Sequence, residues 1–144
     1  MIAACIALLL AGAFTGAAFY INFAEQPARL ALDDRALLLE WKLAYRRGLV
    51  MQASLALMGF LLGMWAWHLT GKPAFLAGAL ALFANWPWTI LAMLPTNKRL
   101  MATTAENAGP ETRRLIEKWN YLHAARTLLG LASALAFGFG LTSK

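Results

Sequence analysis

The stretch "GLVMQASLALMGFLLGMWAWHLTGKPAFLAGALALFANWPWTILAMLPTN", Gly48–Asn97, contains a single charged side chain, Lys72. On each side of that lysine the apolar run reaches the length of about 20 residues that crosses a hydrocarbon core about 30 Å thick. Lys72 lies in "HLTGKP", too short a connection for anything but a tight turn. Pro73 suits the first turn of the helix that follows, because its missing N–H is not needed there. The stretch therefore reads as two membrane spans folded into an antiparallel hairpin.

Two more runs without Asp, Glu, Lys or Arg flank it: Met1–Ala24, and the slightly shorter Thr127–Ser143. The chain has 144 residues, 60% hydrophobic and only 14% charged, far from the usual quarter charged of a soluble domain. The expected fold is an all-α, integral membrane four-helix up-down bundle, a single transmembrane domain over 1–144 with spans at about 2–23, 48–69, 73–95 and 121–141. The first run has no basic residue ahead of it and is too long for a signal-peptide core, so it reads as a retained first helix. Cys5, the single cysteine, lies inside that helix, which leaves no intrachain disulfide and no Cys-x-x-Cys chemistry.

A net charge of +6 would suggest nucleic-acid binding in a soluble protein. Here the cations sort by loop, so no nucleic-acid partner is expected. Arg29, Arg35, Lys42, Arg46 and Arg47 stand between spans one and two. Lys98, Arg99, Arg113, Arg114, Lys118 and Arg126 stand between spans three and four, with only Lys72 and Lys144 on the other side. The positive-inside rule turns both long connections toward the cytoplasm of a bacterial-type inner (plasma) membrane and both termini outward. In "DDRALLLEWKLAYRRGL" an acid at Asp33 or Asp34 is placed to cap a juxtamembrane helix. Gly109 and Pro110 restart a helix with Glu111 in its first turn. Both connections thus prolong transmembrane helices on the cytoplasmic side. Gly12/Gly16 and Gly59/Gly63 have GxxxG spacing, which suits helix contacts within or between chains and leaves an oligomer open. In "ANWPWTI", Pro87 frees a backbone carbonyl inside the membrane, with Asn85 and Thr89 at hand to satisfy freed groups or to line a polar cavity.

Polar side chains gather at the cytoplasmic helix ends: Asn22 and Glu25 on the first, Trp41, Tyr45, Arg47 and Gln52 on the second, Asn97 on the third, Trp119, His123 and Arg126 on the fourth. Offsets of four, three and four carry Trp119, His123, Arg126 and Gly130 along one stripe. At membrane depth that stripe should face protein or water, and an inward Arg126 could then pair with Glu25, the only acid close to the end of the first helix. The blander reading makes Arg46, Arg99, Arg113 and Arg114 interfacial anchors, and Trp41, Trp65, Trp67, Trp86 and Trp88 belt or packing residues. His68 and His123 fall at opposite ends of the bundle, which argues against a bis-histidine haem. No His, Cys, Asp and Glu cluster has metal-ligand spacing, so neither metal nor cofactor is expected. No span carries the mid-membrane acid of a proton-coupled exporter.

The motifs "INFAEQPARL", "WKLAYRRGLVMQ", "PWTILAMLPTNKRL" and "EKWNYLHAARTLLG" resemble those of the anthrone oxygenase-like (DUF1772) family of small four-helix membrane proteins, over nearly the whole chain. The resemblance implies oxidation of an anthrone-like or quinol-like aromatic substrate without metal or flavin. His123 would then be the base, with Arg126, Arg47 and Asn97 stabilising an oxyanion. Trp119, Trp41 and Tyr45 would stack on a planar ring, and Asn22, Glu25 and Gln52 would complete the binding site. The expected partners are membrane lipid and a hydrophobic aromatic small molecule. A non-catalytic lipid- or quinone-binding protein, or a partner subunit, would have the same pocket and no reaction.

Overall fold

The computed structural model of the protein describes residues 1–143; Lys144, counted above among the outward charges, lies outside them. Among the described residues the structure is helical throughout, with no strand. The four helices long and apolar enough to cross a membrane are α1 (Ile2–Leu30), α2 (Asp34–Thr70), α3 (Pro73–Ala102) and α4 (Pro110–Thr142). Each packs on two neighbours, α1 and α3 both lying against α2 and α4, so the chain is a multi-pass bundle with a square cross-section. The two long connections share one end, called here the basic end.

Local chemistry sets the helix limits. The Asp33 carboxylate accepts from the N–H groups of Arg35 and Ala36, each at 3.0 Å, and caps α2 well ahead of its apolar run. At the other end Gly71 takes the left-handed conformation, φ 69°, that stops α2 and starts the hairpin turn. Lys72 in that turn donates to the Gly140 carbonyl at 3.1 Å and to that of Ser143, capping α4 across the bundle. At the basic end, Arg113 proves to be more than an anchor. Its guanidinium donates to the Asp34 carboxylate at 2.6 Å and to the carbonyls of Leu30 and Leu32 at 2.8 and 2.6 Å, tying the end of α1 to the start of α2. The Arg99–Glu111 pair, by contrast, is exposed and adds little.

Lipid tails are as apolar as leucine, so close packing must hold the spans together. Ala4, Ala7, Ala11, Phe14 and Ala18 form the buried stripe of α1, its small side chains letting α2 and α4 approach. The Phe137 ring of α4 fits a cup made by Gly63 and Gly78; a methyl at either would lie 2.6 or 2.7 Å from the ring. Gly59 and Gly63 thus serve contacts within the chain, whereas Gly12 and Gly16 are exposed with nothing within 4 Å. Gly78→Ala should therefore lose about 1–3 kcal/mol to overpacking. Gly12→Ala should gain about 0.5–1 kcal/mol from helix propensity. Thermal unfolding of both variants in one detergent checks the contrast.

A second core fills the basic end with Leu37, Leu38, Trp41, Met93, Leu100, Ile116 and Trp119. Between the cores, α1 and α3 each contain one π-turn, Ile21–Glu25 and Thr89–Met93, closed by i→i−5 bonds from Gln26 N–H to Ile21 O and from Leu94 N–H to Thr89 O. Each turn ends two residues before a proline, Pro27 or Pro95, whose missing N–H removes a rung of the α-helical ladder. The two irregular turns flank the polar level of the bundle.

Candidate functional site

Residues on α4 three and four apart share a face, and Thr112, Ile116, Trp119, His123, Arg126, Gly130 and Ser133 are all buried along it. The middle of that stripe meets the polar residues of α1 and α2 at a cavity of about 450 Å³. Of the side chains nominated from the sequence, Glu25, Tyr45, Arg47, Gln52, Trp119, His123 and Arg126 line it. Trp41 lies behind them, stacked on Tyr45 with ring centroids 4.8 Å apart and meeting Trp119 edge-on at 5.8 Å. Trp119 in turn stacks on His123 at 4.7 Å. Asn97 is buried beside Tyr45, outside the cavity lining. These aromatic contacts join Tyr45, Trp41, Trp119 and His123 into one continuous cluster.

Asn22 does not line the cavity, and what it does is more specific. Its Nδ2 donates to the Asn120 carbonyl at 3.0 Å and to Asn120 Oδ1 at 2.6 Å. A carbonyl oxygen only accepts, so the other terminal atom of Asn22 is its oxygen. That oxygen receives the Thr127 hydroxyl at 2.9 Å and His123 Nδ1 at 3.0 Å. His123 must therefore carry its proton on Nδ1, and in the neutral ring Nε2 keeps its lone pair. Gln26 braces the same contact, donating to Ile116 O at 3.1 Å.

The expected Arg126–Glu25 pair does not form. Glu25 is paired instead with Arg29, one helical turn further on, and Arg29 also meets Glu40 at 2.8 Å. Arg126 is only 7% exposed, and among the described residues no carboxylate pairs with it. Its guanidinium lies 5.5 Å from the Phe14 ring centre, and its Nε has no hydrogen-bond partner. Trp119 Nε1 and Gln52 Nε2, also in the lining, have none either. Buried polar groups are rarely left unpaired, and these three donors, each closed off from open space, belong to residues that line the cavity.

Sequence reasoning missed Arg29, Gln26 and Asn120. The first two sit inside the quoted motif "INFAEQPARL", and the four-residue spacing of Glu25 and Arg29 was a readable signal. Asn120, one residue after Trp119, had no signal of its own. Among the described residues no group of three His, Cys, Asp or Glu side chains has a metal-holding arrangement.

The chain matches the family described as anthrone oxygenase over residues 41–136. It is also 32% identical over 154 aligned residues to an anthrone oxygenase of Claviceps purpurea (strain 20.1), covering 96% of this chain and 88% of that protein. The chain belongs to the anthrone oxygenase family. No solved structure matches it. The family match takes in most of α2 and α4 and all of α3, and with them every nominated side chain except Asn22 and Glu25 on α1. The longer alignment with the Claviceps anthrone oxygenase spans nearly the full bundle.

Proposed function

We propose that the cavity lined by His123 and Arg126 binds a planar hydroxylated ketone of the anthrone type and oxidises its ring methylene to a carbonyl with dioxygen. The observation that carries this reading is Arg126, a buried cation without a carboxylate, lining the same cavity as a histidine whose Nδ1 is committed to Asn22. A charge at membrane depth costs a few kcal/mol, and an anion formed during turnover would offset that cost. The Claviceps relative's name supports the substrate class, and about 450 Å³ lies within the roughly 300–1,000 Å³ of small-molecule sites.

In the proposed reaction His123 Nε2 removes a proton from the methylene, and the negative charge spreads onto the ketone oxygen. Arg126 meets that oxyanion, and the Gln52 and Trp119 side chains turn toward it as further donors. Arg47 adds a cation at the cavity wall, and Asn97 acts through Tyr45. Trp119 and Tyr45, backed by Trp41, stack on the ring system. The carbanion's electron pair forms a C–O bond to dioxygen, and the resulting peroxide takes up a proton. Loss of the second methylene proton, with cleavage of the O–O bond, leaves a ketone and one water. Every electron passes from substrate to dioxygen. The basic end is assigned to the cytoplasmic face of an inner membrane, with both termini outside, because the cations sort to that end.

Purified protein in lipid nanodiscs should speed conversion of an anthrone to the anthraquinone well above the protein-free rate, with one dioxygen consumed per product. Tight binding of the anthrone with no acceleration would replace this reading by that of a ligand-holding protein. Asn22→Leu should lower kcat roughly tenfold with KM little changed, since it removes the acceptor that orients His123. Asn22→Asp keeps the acceptor for His123 but loses the donor to the Asn120 carbonyl, so it should restore the rate only in part. Steady-state kinetics of both variants checks the pair.

A further inference from the structure

Arg126 and Leu49 border a second cavity, of about 220 Å³, on the other side of α2. Its remaining walls are Ala53 and Ala56 of α2 and Asn85, Trp86, Thr89 and Ile90 of α3. Leu49, Trp86 and Ile90 are exposed at its mouth, on the surface of the bundle that meets lipid. The polar groups on α3 turn away from the space: Thr89 Oγ1 donates to the Asn85 carbonyl at 2.7 Å, and Asn85 Nδ2 donates to the Leu82 carbonyl at 3.0 Å. Asn85 Oδ1, on a side chain 2% exposed, is left without a partner, as is Arg126 Nε. The cavity is thus carbon-walled, with a polar end at the guanidinium that also faces the larger cavity.

We propose that this second cavity is a dioxygen site, which takes the gas from the hydrocarbon core and delivers it to Arg126. The proposal rests on the oxidative reading of the larger cavity. Dioxygen is apolar, dissolves better in hydrocarbon than in water, and needs no hydrogen-bond partner. Water needs roughly two to four polar partners, which the carbon walls do not provide, and apolar cavities of this kind stay dry and take up xenon. The volume falls below the roughly 300 Å³ at which sites for drug-sized molecules begin, so a second aromatic substrate is too large. Arg126 is the one charged group common to both spaces, and it stands where the dioxygen would gain negative charge as the substrate carbanion bonds to it.

The test pairs xenon with kinetics. Crystals of the purified protein under xenon pressure should show the gas in this cavity, and Ala53→Phe should abolish it. Ala53→Met fills the same space more flexibly if phenylalanine impairs folding. The same variants should raise KM for dioxygen about fivefold or more while KM for the anthrone stays within about twofold. A lipid chain or ordered water in the wild-type cavity with no xenon would overturn the proposal, as would unchanged KM for dioxygen in a variant that has lost xenon. Bound xenon in a wild-type protein that turns over no anthrone would overturn the reaction proposed for the larger cavity and leave the gas site standing.

Discussion

Replacing Arg126 by methionine is expected to lower kcat/KM roughly 10²–10³-fold, the usual cost of deleting a donor that meets a developing oxyanion. The same substitution should leave the protein at least as stable as before. Removing one member of a buried ion pair strands the other charge and destabilises strongly. Arg126 has no carboxylate partner to strand, and its known contact is the face of Phe14, 5.5 Å away. Losing that cation–π contact costs about 0.5–2 kcal/mol, whereas relieving a charge at membrane depth returns a few kcal/mol. A group that lowers stability while serving activity is expected of a functional site, and a purely structural arginine would behave in the opposite way. Dioxygen uptake and thermal unfolding on the same preparation measure both effects. A variant that retains activity but unfolds early would make Arg126 a scaffold.

His123→Ala is expected to lower turnover about 10²-fold or more, the lower end of what a positioned general base contributes. His123 is 1% exposed, so the substitution opens space where the ring stood. Added imidazole should enter that space and recover part of the rate. Neighbouring Trp119 loses its stacked partner in the variant, so stability should fall by a few kcal/mol as for other large-to-small core changes. Rescue by imidazole separates the two consequences, because a small base in solution restores chemistry without restoring packing. A rate that stays within about threefold of wild type would remove His123 from the proposed role.

Much of the bundle could be read from charge-free runs, because the bilayer allows few other ways to satisfy a backbone. The hairpin at Lys72 and the helix start at Pro110 followed from turn chemistry alone. The stripe Trp119, His123, Arg126 was legible because an unbroken α-helix keeps a fixed angular step, and α4 is unbroken through that region. On α1 the same logic failed. The π-turn Ile21–Glu25 adds a residue to the turn, so spacing could not say that Asn22 would reach Asn120 and His123 while Glu25 stayed with Arg29. Pairing Arg126 with Glu25, the only acid close to the end of the first span, overlooked Arg29, the i+4 partner of Glu25. The second cavity was half visible: "ANWPWTI" suggested a bend or a polar lining, and Asn85 and Thr89 use their donors on the backbone while bordering the space. Which helix would form its other wall depends on packing across the bundle, which no local pattern encodes.

The central claim is that a buried guanidinium and a histidine of fixed tautomer stabilise the substrate as an anion before dioxygen takes part. Mixing the protein with an anthrone under strictly anaerobic conditions isolates that step, because ionisation of the ketone is visible in its absorption spectrum. At neutral pH the wild-type protein should bind the anthrone and show the spectrum of its anion, whereas His123→Ala and Arg126→Met should bind it with the neutral spectrum. Wild-type protein that holds only the neutral anthrone, yet oxidises it at full rate once air is admitted, would contradict the account.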